Sequence, residues 1–366
     1  MRPLPLVLGL ASLPTTVVAC LVAFGIGPLA PPAWADAVPP PELARVAVPL
    51  PAWLASRPHS GPDSIEDLTH EPTQEQSLRD ALRATIARDW PAARHAAAQG
   101  GYELLALVDG ARWYAVLQMA EEGLGPTVVV APFAWRDLIA EAPHAGFERG
   151  TAEQVALLVT ELGARAGLIS GAHRCAARQQ SSCSGTTRVC GEAAEVPYRT
   201  SDVGHNPATL FHAAHEVLAA AWPEAVVFSL HGMRRTDATL AIVSDGSREK
   251  RSSDNAISGH LRGALRARLG QGPAVVSCND ANDDRYSYRR LCGFTNVQGR
   301  SLNGSLNVCG MSTDAPSGRF IHLEQTWDIL GEFERGWARW AEYPNLSAIL
   351  QATMAVIPCI SADCPR

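Results

Sequence analysis

Lysine is almost missing from this chain: Lys250 is the only one, and charged residues of both signs make up 19% of 366 positions. With a formal net charge of −6, the sequence lacks the concentrated positive surface that a nucleic-acid partner requires. No Cys-x-x-Cys pair occurs, which removes the usual knuckle of a cysteine-held structural zinc. No Gly-x-Ser-x-Gly elbow occurs either, which disfavours a serine hydrolase. There is no internal repeat.

Charge is also absent from Pro3 to Ala35, a run preceded by Arg2 and ended by Ala33-Trp34-Ala35. That layout predicts a secretory signal peptide over residues 1–35, cleaved after Ala35. The stretch is long enough for a membrane anchor, and Val17-Val18-Ala19-Cys20 resembles a lipoprotein cleavage site. Prolines at 14, 28, 31 and 32 and the apolar residues after Cys20 weigh against these alternatives. The expectation is a secreted chain of net charge near −7 once Arg2 is removed, with no stable membrane association after cleavage.

Eight cysteines remain beyond Cys20: Cys175, Cys183, Cys190, Cys278, Cys292, Cys309, Cys359 and Cys364. An even number in an exported chain implies up to four disulfides, with connectivity left open by the sequence. Positive charge is carried by arginine, through codon bias or through its bidentate fit to carboxylates.

Residues 36–99 read as a proline-rich leader lying on the surface, ending in one helix over Gln74–Ala97 with Leu78, Leu82 and Ile86 on one face. A catalytic α/β domain is expected over 100–366. Glu103–Val108 and Trp113–Gln118 form a hairpin around Asp109-Gly110, and Thr127–Ala131 and Asp137–Ala142 are further strands. A helix opens at Thr151, with Gln154 completing a capping box, and leads to a strand over Gly167–Ser170. A second helix starts at Asn206-Pro207 and runs to Trp222, followed by the apolar strand Ala225–Leu230. Strands Thr239–Val243 and Ala274–Ser277 flank a helix Asn255–Leu269. Arg319–Glu324 is the final strand, before a helix Trp327–Ala341. The pattern predicts a mixed, mostly parallel sheet with helices on both faces.

Three polar groups fall where such sheets carry active sites, near the carboxyl ends of strands. In Glu141-Ala-Pro-His144-Ala-Gly-Phe-Glu148, Pro143 and Gly146 exclude helix, so His144 and Glu148 lie on a loop and can converge on one ion. His231 directly follows an apolar strand and precedes Gly232, which allows a sharp turn. In Phe320-Ile-His322-Leu-Glu324, His322 and Glu324 share one face. Two histidines, one carboxylate and an open position form a catalytic zinc sphere, with a separate carboxylate as general base. Taken singly, a histidine at a strand end is most often structural, and Glu324 alone reads equally as one half of an ion pair.

The motifs Ala-Pro-His-Ala-Gly-x-Glu-x-Gly-Thr, Ser-Gly-Ala-His-Arg, Ser-Asp-Val-Gly-His, Ser-Leu-His-Gly and Arg-Phe-Ile-His-Leu-Glu together resemble the poly-γ-glutamate hydrolase group. That group is related to N-formylglutamate amidohydrolases and zinc carboxypeptidases. The resemblance spans about Asp137 to Asp328. It implies a carboxypeptidase-like (phosphorylase/hydrolase-like) fold, a zinc ion on His144, Glu148 and His231, and Glu324 activating a water. The implied substrate is a peptide or γ-glutamyl polymer cut at an amide near a free carboxylate.

Arg174 is the candidate for stabilising the oxyanion or gripping a substrate carboxylate; a structural ion pair is the other reading. Where the related enzymes carry Asn-Arg for the substrate carboxylate, Ser201-Asp-Val-Gly-His205 stands here, which makes His205 a substrate-binding candidate in place of that arginine or a residue with no part in binding. Arg300 and Asn303, in a glycine-rich stretch, could serve the same purpose or form a structural turn. His212 and His215 read as a partly exposed helix face, and Trp327, Trp337 and Trp340 as packing on the sheet. A catalytically inactive exported binding module on the same fold is the competing function.

Overall fold

The computed structural model describes residues 38–120, 124–235, 238–251, 256–270, 274–283, 291–362 and 364. The expected signal peptide and its cleavage site lie outside these residues. In chain order the elements are β1 (Ala44–Ala47), α1 (Leu50–Ala55), α2 (Pro72–Ala87), α3 (Trp90–Gln99), β2 (Tyr102–Asp109), β3 (Arg112–Met119), β4 (Thr127–Val130) and β5 (Arg136–Ala142). They continue with α4 (Thr151–Thr160), β6 (Ala164–Ile169), the short β7 (Thr186–Thr187) and β8 (Val196–Pro197), α5 (Leu210–Ala221), β9 (Val226–Met233) and β10 (Ala241–Ser244). The last are α6 (Ile257–Leu269), β11 (Val275–Ser277), α7 (Val297–Leu302), β12 (Phe320–Thr326), α8 (Trp327–Gly336) and α9 (Pro344–Val356).

Among the described residues the main sheet has ten strands in the order β1-β2-β3-β4-β6-β5-β9-β12-β10-β11. At its centre β6, β5, β9 and β12 all run parallel, so their carboxyl ends open on one edge. Within this sheet antiparallel pairing is confined to β2–β3–β4–β6 and to β10 against β12, while β7 and β8 form a separate antiparallel pair. The central strands are apolar on both faces because helices cover both. Leu138, Ala140, Phe228, Leu230 and Ile321 pack with α1, α4, α6, α8 and α9. Ile139, Val227 and Phe320 pack with α2, α3 and α5. The expected α/β architecture, a mixed sheet with helices on both faces, is thus present.

The leader differs from expectation. Its β1 pairs in parallel with β2, and Leu50, Trp53 and Leu54 of α1 are buried in the main core, so the α/β unit begins well before Gly100. The single helix over 74–97 is two, because Arg88 adopts a left-handed φ of 61° and Asp89 caps α3 through Ala92 N. Downstream of α1 the chain runs along the loop after β6. Ser60 N donates to Gly171 O, Asp63 N to Cys175 O and Ile65 N to Ala176 O.

Local signals were overridden in four more places. Gly150, at φ 91°, precedes α4 in place of a capping box; Thr151 Oγ1 donates to Glu148 O and Gln154 is used elsewhere. Thr209 caps α5, while Asn206 Oδ1 takes Ala208 N in a turn before it. The helix after β12 stops at Gly336 and passes into a 3-10 turn over Trp337–Glu342. Trp337 and Trp340 pack on the core as expected, but Trp327 is 47% exposed. All eight cysteines are paired, as Cys175–Cys190, Cys183–Cys309, Cys278–Cys292 and Cys359–Cys364.

Candidate metal centre

Strand alternation builds the site. On β9, Val227, Ser229 and His231 face the α5 side, while Phe228 and Leu230 face the other core. On β12 the same parity puts Phe320, His322 and Glu324 on that side. The register sets Glu324 directly beside His231, and His322 beside Ser229. A row of polar side chains thus lies on one face of otherwise apolar strands, at their carboxyl ends. His231 is an internal strand residue here, not one beyond the strand end, because β9 continues to Met233.

From the neighbouring β5 the chain turns through Pro143, and Glu148 N bonds back to His144 O at 2.7 Å. This turn brings both side chains over the end of β9. Gly146 lets the loop pass the leader, since a Cβ there would lie 2.8 Å from His59 Cβ. His144, Glu148 and His231 each offer a ligand atom within 4.8 Å of the others, and all three are buried. His144 Nδ1 is 3.0 Å from Glu148 Oε1 and His231 Nδ1 is 3.3 Å from Glu148 Oε2.

The outer ring nitrogens are held as well. His144 Nε2 meets Asp202 Oδ1 at 2.7 Å, and His231 Nε2 meets Ser229 Oγ at 2.9 Å. Partners of this kind fix ring orientation and leave the inner nitrogen for a metal. Two imidazoles and a carboxylate with anchored outer nitrogens fit a divalent cation of borderline softness. Burial and the Arg174 charge oppose protonation of His144, but Glu148 and Asp202 outweigh them and raise its pKa to about 9. His231, by contrast, is pushed down to about 3 by burial and by His322. Glu148 stays ionised well below the usual carboxylate range despite its burial, because both histidines face it. Glu148 thus carries its charge between the two rings, and a metal held by His144 Nδ1 would displace a proton there.

Glu324 belongs to an adjoining group with His231 and His322. His322 Nε2 is 3.1 Å from Glu324 Oε1, while Glu324 Oε2 is buried without a hydrogen-bond partner. Burial raises the pKa of Glu324 against the opposing pull of His322. Gly293 makes room for that imidazole, since a Cβ there would lie 2.7 Å from His322 Cγ.

Arg174, from the loop after β6, donates from Nε and Nη2 to Asp202 Oδ2 and from Nη1 to Glu148 Oε1. His205 lies at the rim, with Nδ1 2.7 Å from Asp202 Oδ1 and its ring stacked on Tyr198 at 3.7 Å between centroids. Arg300 does not join the site. Its guanidinium donates to the carbonyls of Phe294, Val308 and Cys309 and to the hydroxyls of Ser184 and Ser312, so every donor is spent inside the fold. Asn303 is also committed, to Asp245 O and Ser317 N, on the side where the chain enters β12. The structural-turn reading of that stretch is the one observed. His212 and His215 are buried rather than partly exposed, and His215 Nδ1 is 2.7 Å from Glu141 Oε1.

Sequence reasoning did not single out Asp202 or Ser229. Asp202 sits inside the Ser201–His205 motif, and Ser229 shares the parity of His231; these were the available signals.

No protein-family model matches the chain, and no curated protein matches it. Among solved structures it is similar to the N-formylglutamate amidohydrolase from Ralstonia eutropha JMP134, at 13% identity and a TM-score of 0.34, over 63% of this chain and 98% of that one. It is similar to the succinylglutamate desuccinylase from Chromobacterium violaceum, at 14% identity and 0.34, over 78% and 77% of the two chains. A metallo-carboxypeptidase from Burkholderia cenocepacia aligns at 12% identity and 0.30, over 74% and 68%.

Proposed function

We propose that this chain is an exported zinc-dependent amide hydrolase that cleaves a bond near a free carboxylate, with γ-glutamyl peptide or polymer as its substrate. The observation that carries this reading is the buried meeting of His144, Glu148 and His231, with Glu324 beside His231 in strand register. The ligand set suits zinc among the divalent cations. Bound zinc lowers the pKa of a coordinated water to about 7 and polarises an amide carbonyl.

Glu324, with one buried oxygen unpartnered, takes the proton of the attacking water as its oxygen adds to the carbonyl carbon. The same carboxyl then delivers that proton to the departing nitrogen as the C–N bond breaks, giving a carboxylate and an amine. Arg174 provides fixed positive charge beside Glu148 for the negative charge developing on the carbonyl oxygen. His205, at the rim, is assigned to the substrate carboxylate in place of an arginine.

Export is supported by four disulfides, which persist in oxidising compartments. Among the described residues no helix is long and apolar enough to cross a membrane. The test is elemental analysis of the purified mature chain together with release of amine from N-acyl-glutamate and γ-glutamyl peptides. One equivalent of zinc with turnover supports the reading. Zinc with no cleavage of either substrate class favours the inactive binding module.

A further inference from the structure

Of the eight paired cysteines, Cys359 is the exposed one, while its partner Cys364 is buried. Their bridge also closes the shortest loop of the four, with a sequence separation of 5 against 14, 15 and 126. Short loops gain least from a cross-link, because little chain entropy is removed from the opened form. Exchange with a thiol requires access to one sulfur and a good leaving group in the other.

The buried sulfur has a cation beside it. Arg136, at the start of β5, is 3% exposed, and its Nη1 donates to Cys364 Sγ. Among the described residues this guanidinium has no carboxylate partner, and its Nε is buried without a hydrogen bond. A buried cation without a counter-charge is unfavourable, and a thiolate on Cys364 is an anion placed to relieve it. Backbone contacts fix the arrangement. Arg136 and Cys359 form an isolated antiparallel bridge, Ile360 N donates to Trp135 O, and Cys364 N donates to Ser361 O. None of these contacts uses the S–S bond.

We infer that the Cys359–Cys364 bridge is a thiol-exchange site at which a low-molecular-weight thiol becomes attached to Cys359. The thiolate of the small molecule attacks Cys359 Sγ and forms a new S–S bond there. The bond to Cys364 breaks, and its electron pair leaves on Cys364 Sγ as a thiolate beside Arg136. A thiolate stabilised in this way is a weaker nucleophile, so it returns slowly to Cys359 and the mixed disulfide persists. A second small thiol can remove the adduct as its own disulfide; the two small thiols are then oxidised and the two cysteines reduced. The site lies at the opposite end of β5 from the loop bearing His144, and it does not depend on the hydrolase reading.

The test exposes the mature chain to reduced glutathione while circular dichroism shows it folded. Samples are quenched with an alkylating agent at intervals, and each cysteine is mapped by mass spectrometry. The Cys359–Cys364 bridge is expected to open at least about tenfold faster than any other, with glutathione on Cys359 and the alkyl group on Cys364. Arg136→Gln is expected to slow this opening about tenfold, and Arg136→Lys to slow it less because the charge is kept. If the glutamine variant does not fold, the pH dependence of Cys364 alkylation in the unaltered chain, opened at this bridge alone, decides. A midpoint below the ordinary thiol value of about 8.5 supports the site, and one at or above it overturns the site. Similar opening rates for all four bridges, glutathione mainly on Cys364, or a rate indifferent to a folded Arg136→Gln variant overturns it equally.

Discussion

Asp202 Oδ1 lies 2.7 Å from Nε2 of His144, while its other oxygen holds Arg174 at 2.6 Å. One buried carboxylate thus orients a candidate ligand and keeps a cation beside a second one. Asp202→Asn preserves shape and removes charge, and it is expected to weaken zinc binding about 10- to 100-fold, as loss of such outer partners does. Competition with a chromophoric chelator checks this. Unchanged affinity would mean that Asp202 serves folding alone.

Glu324→Gln is expected to keep a full equivalent of zinc and lower kcat by about 10²- to 10⁴-fold, the usual range for a positioned proton-transfer group. His144→Ala should lose metal and turnover together. Metal analysis paired with single-turnover rates separates the two variants, and normal turnover by the glutamine variant would remove Glu324 from the mechanism.

Arg300→Ala tests the opposite kind of role. It leaves three carbonyls and two hydroxyls without their shared donor, so unfolding free energy should fall by about 3 kcal/mol or more, at roughly 1 kcal/mol or more per lost partner. KM for any substrate should stay within about twofold at a temperature where the variant is folded, since small KM changes signal no lost binding contact. A raised KM with unchanged stability would return Arg300 to substrate binding.

Gln154 and Gln325 exchange amide hydrogen bonds at 3.0 and 2.8 Å, and both are fully buried. They tie α4, just beyond Glu148, to β12, just beyond Glu324. Gln154→Leu alone strands a buried amide and is expected to cost about 1–3 kcal/mol, whereas Gln154→Leu with Gln325→Leu should recover most of it. Denaturant melts of the three variants give the coupling; additive losses would contradict a reciprocal pair.

The proximity of the candidate site residues was more legible than their surroundings. His144, Glu148, His231 and Glu324 could be expected to converge because Pro143 and Gly146 fixed a loop, and strand alternation fixed a face. Arg300 misled because a guanidinium among glycines looks the same whether it caps carbonyls or greets a ligand; only the fold says which. Thr151 and Gln154 matched a capping box, yet the amide of Gln325, distant in sequence, had the stronger claim on Gln154. The leader strand β1 was missed since Ala44–Ala47 is short and its parallel partner is defined only by tertiary pairing. His212 and His215 looked exposed by helical spacing, and burial beneath the sheet overrode that pattern.

The bridge between Cys183 and Cys309 encloses a stretch of chain with a sequence separation of 126. Asp202, His205 and His231 lie within that covalent ring, whereas His144, Glu148, Arg174 and Glu324 come from the tails outside it. A protease nick at a surface turn inside the ring leaves one covalent molecule with every candidate ligand still tethered, and two fragments part only after a reductant is added. Wherever the chain meets peptidases under oxidising conditions, the staple acts as insurance against the first cut.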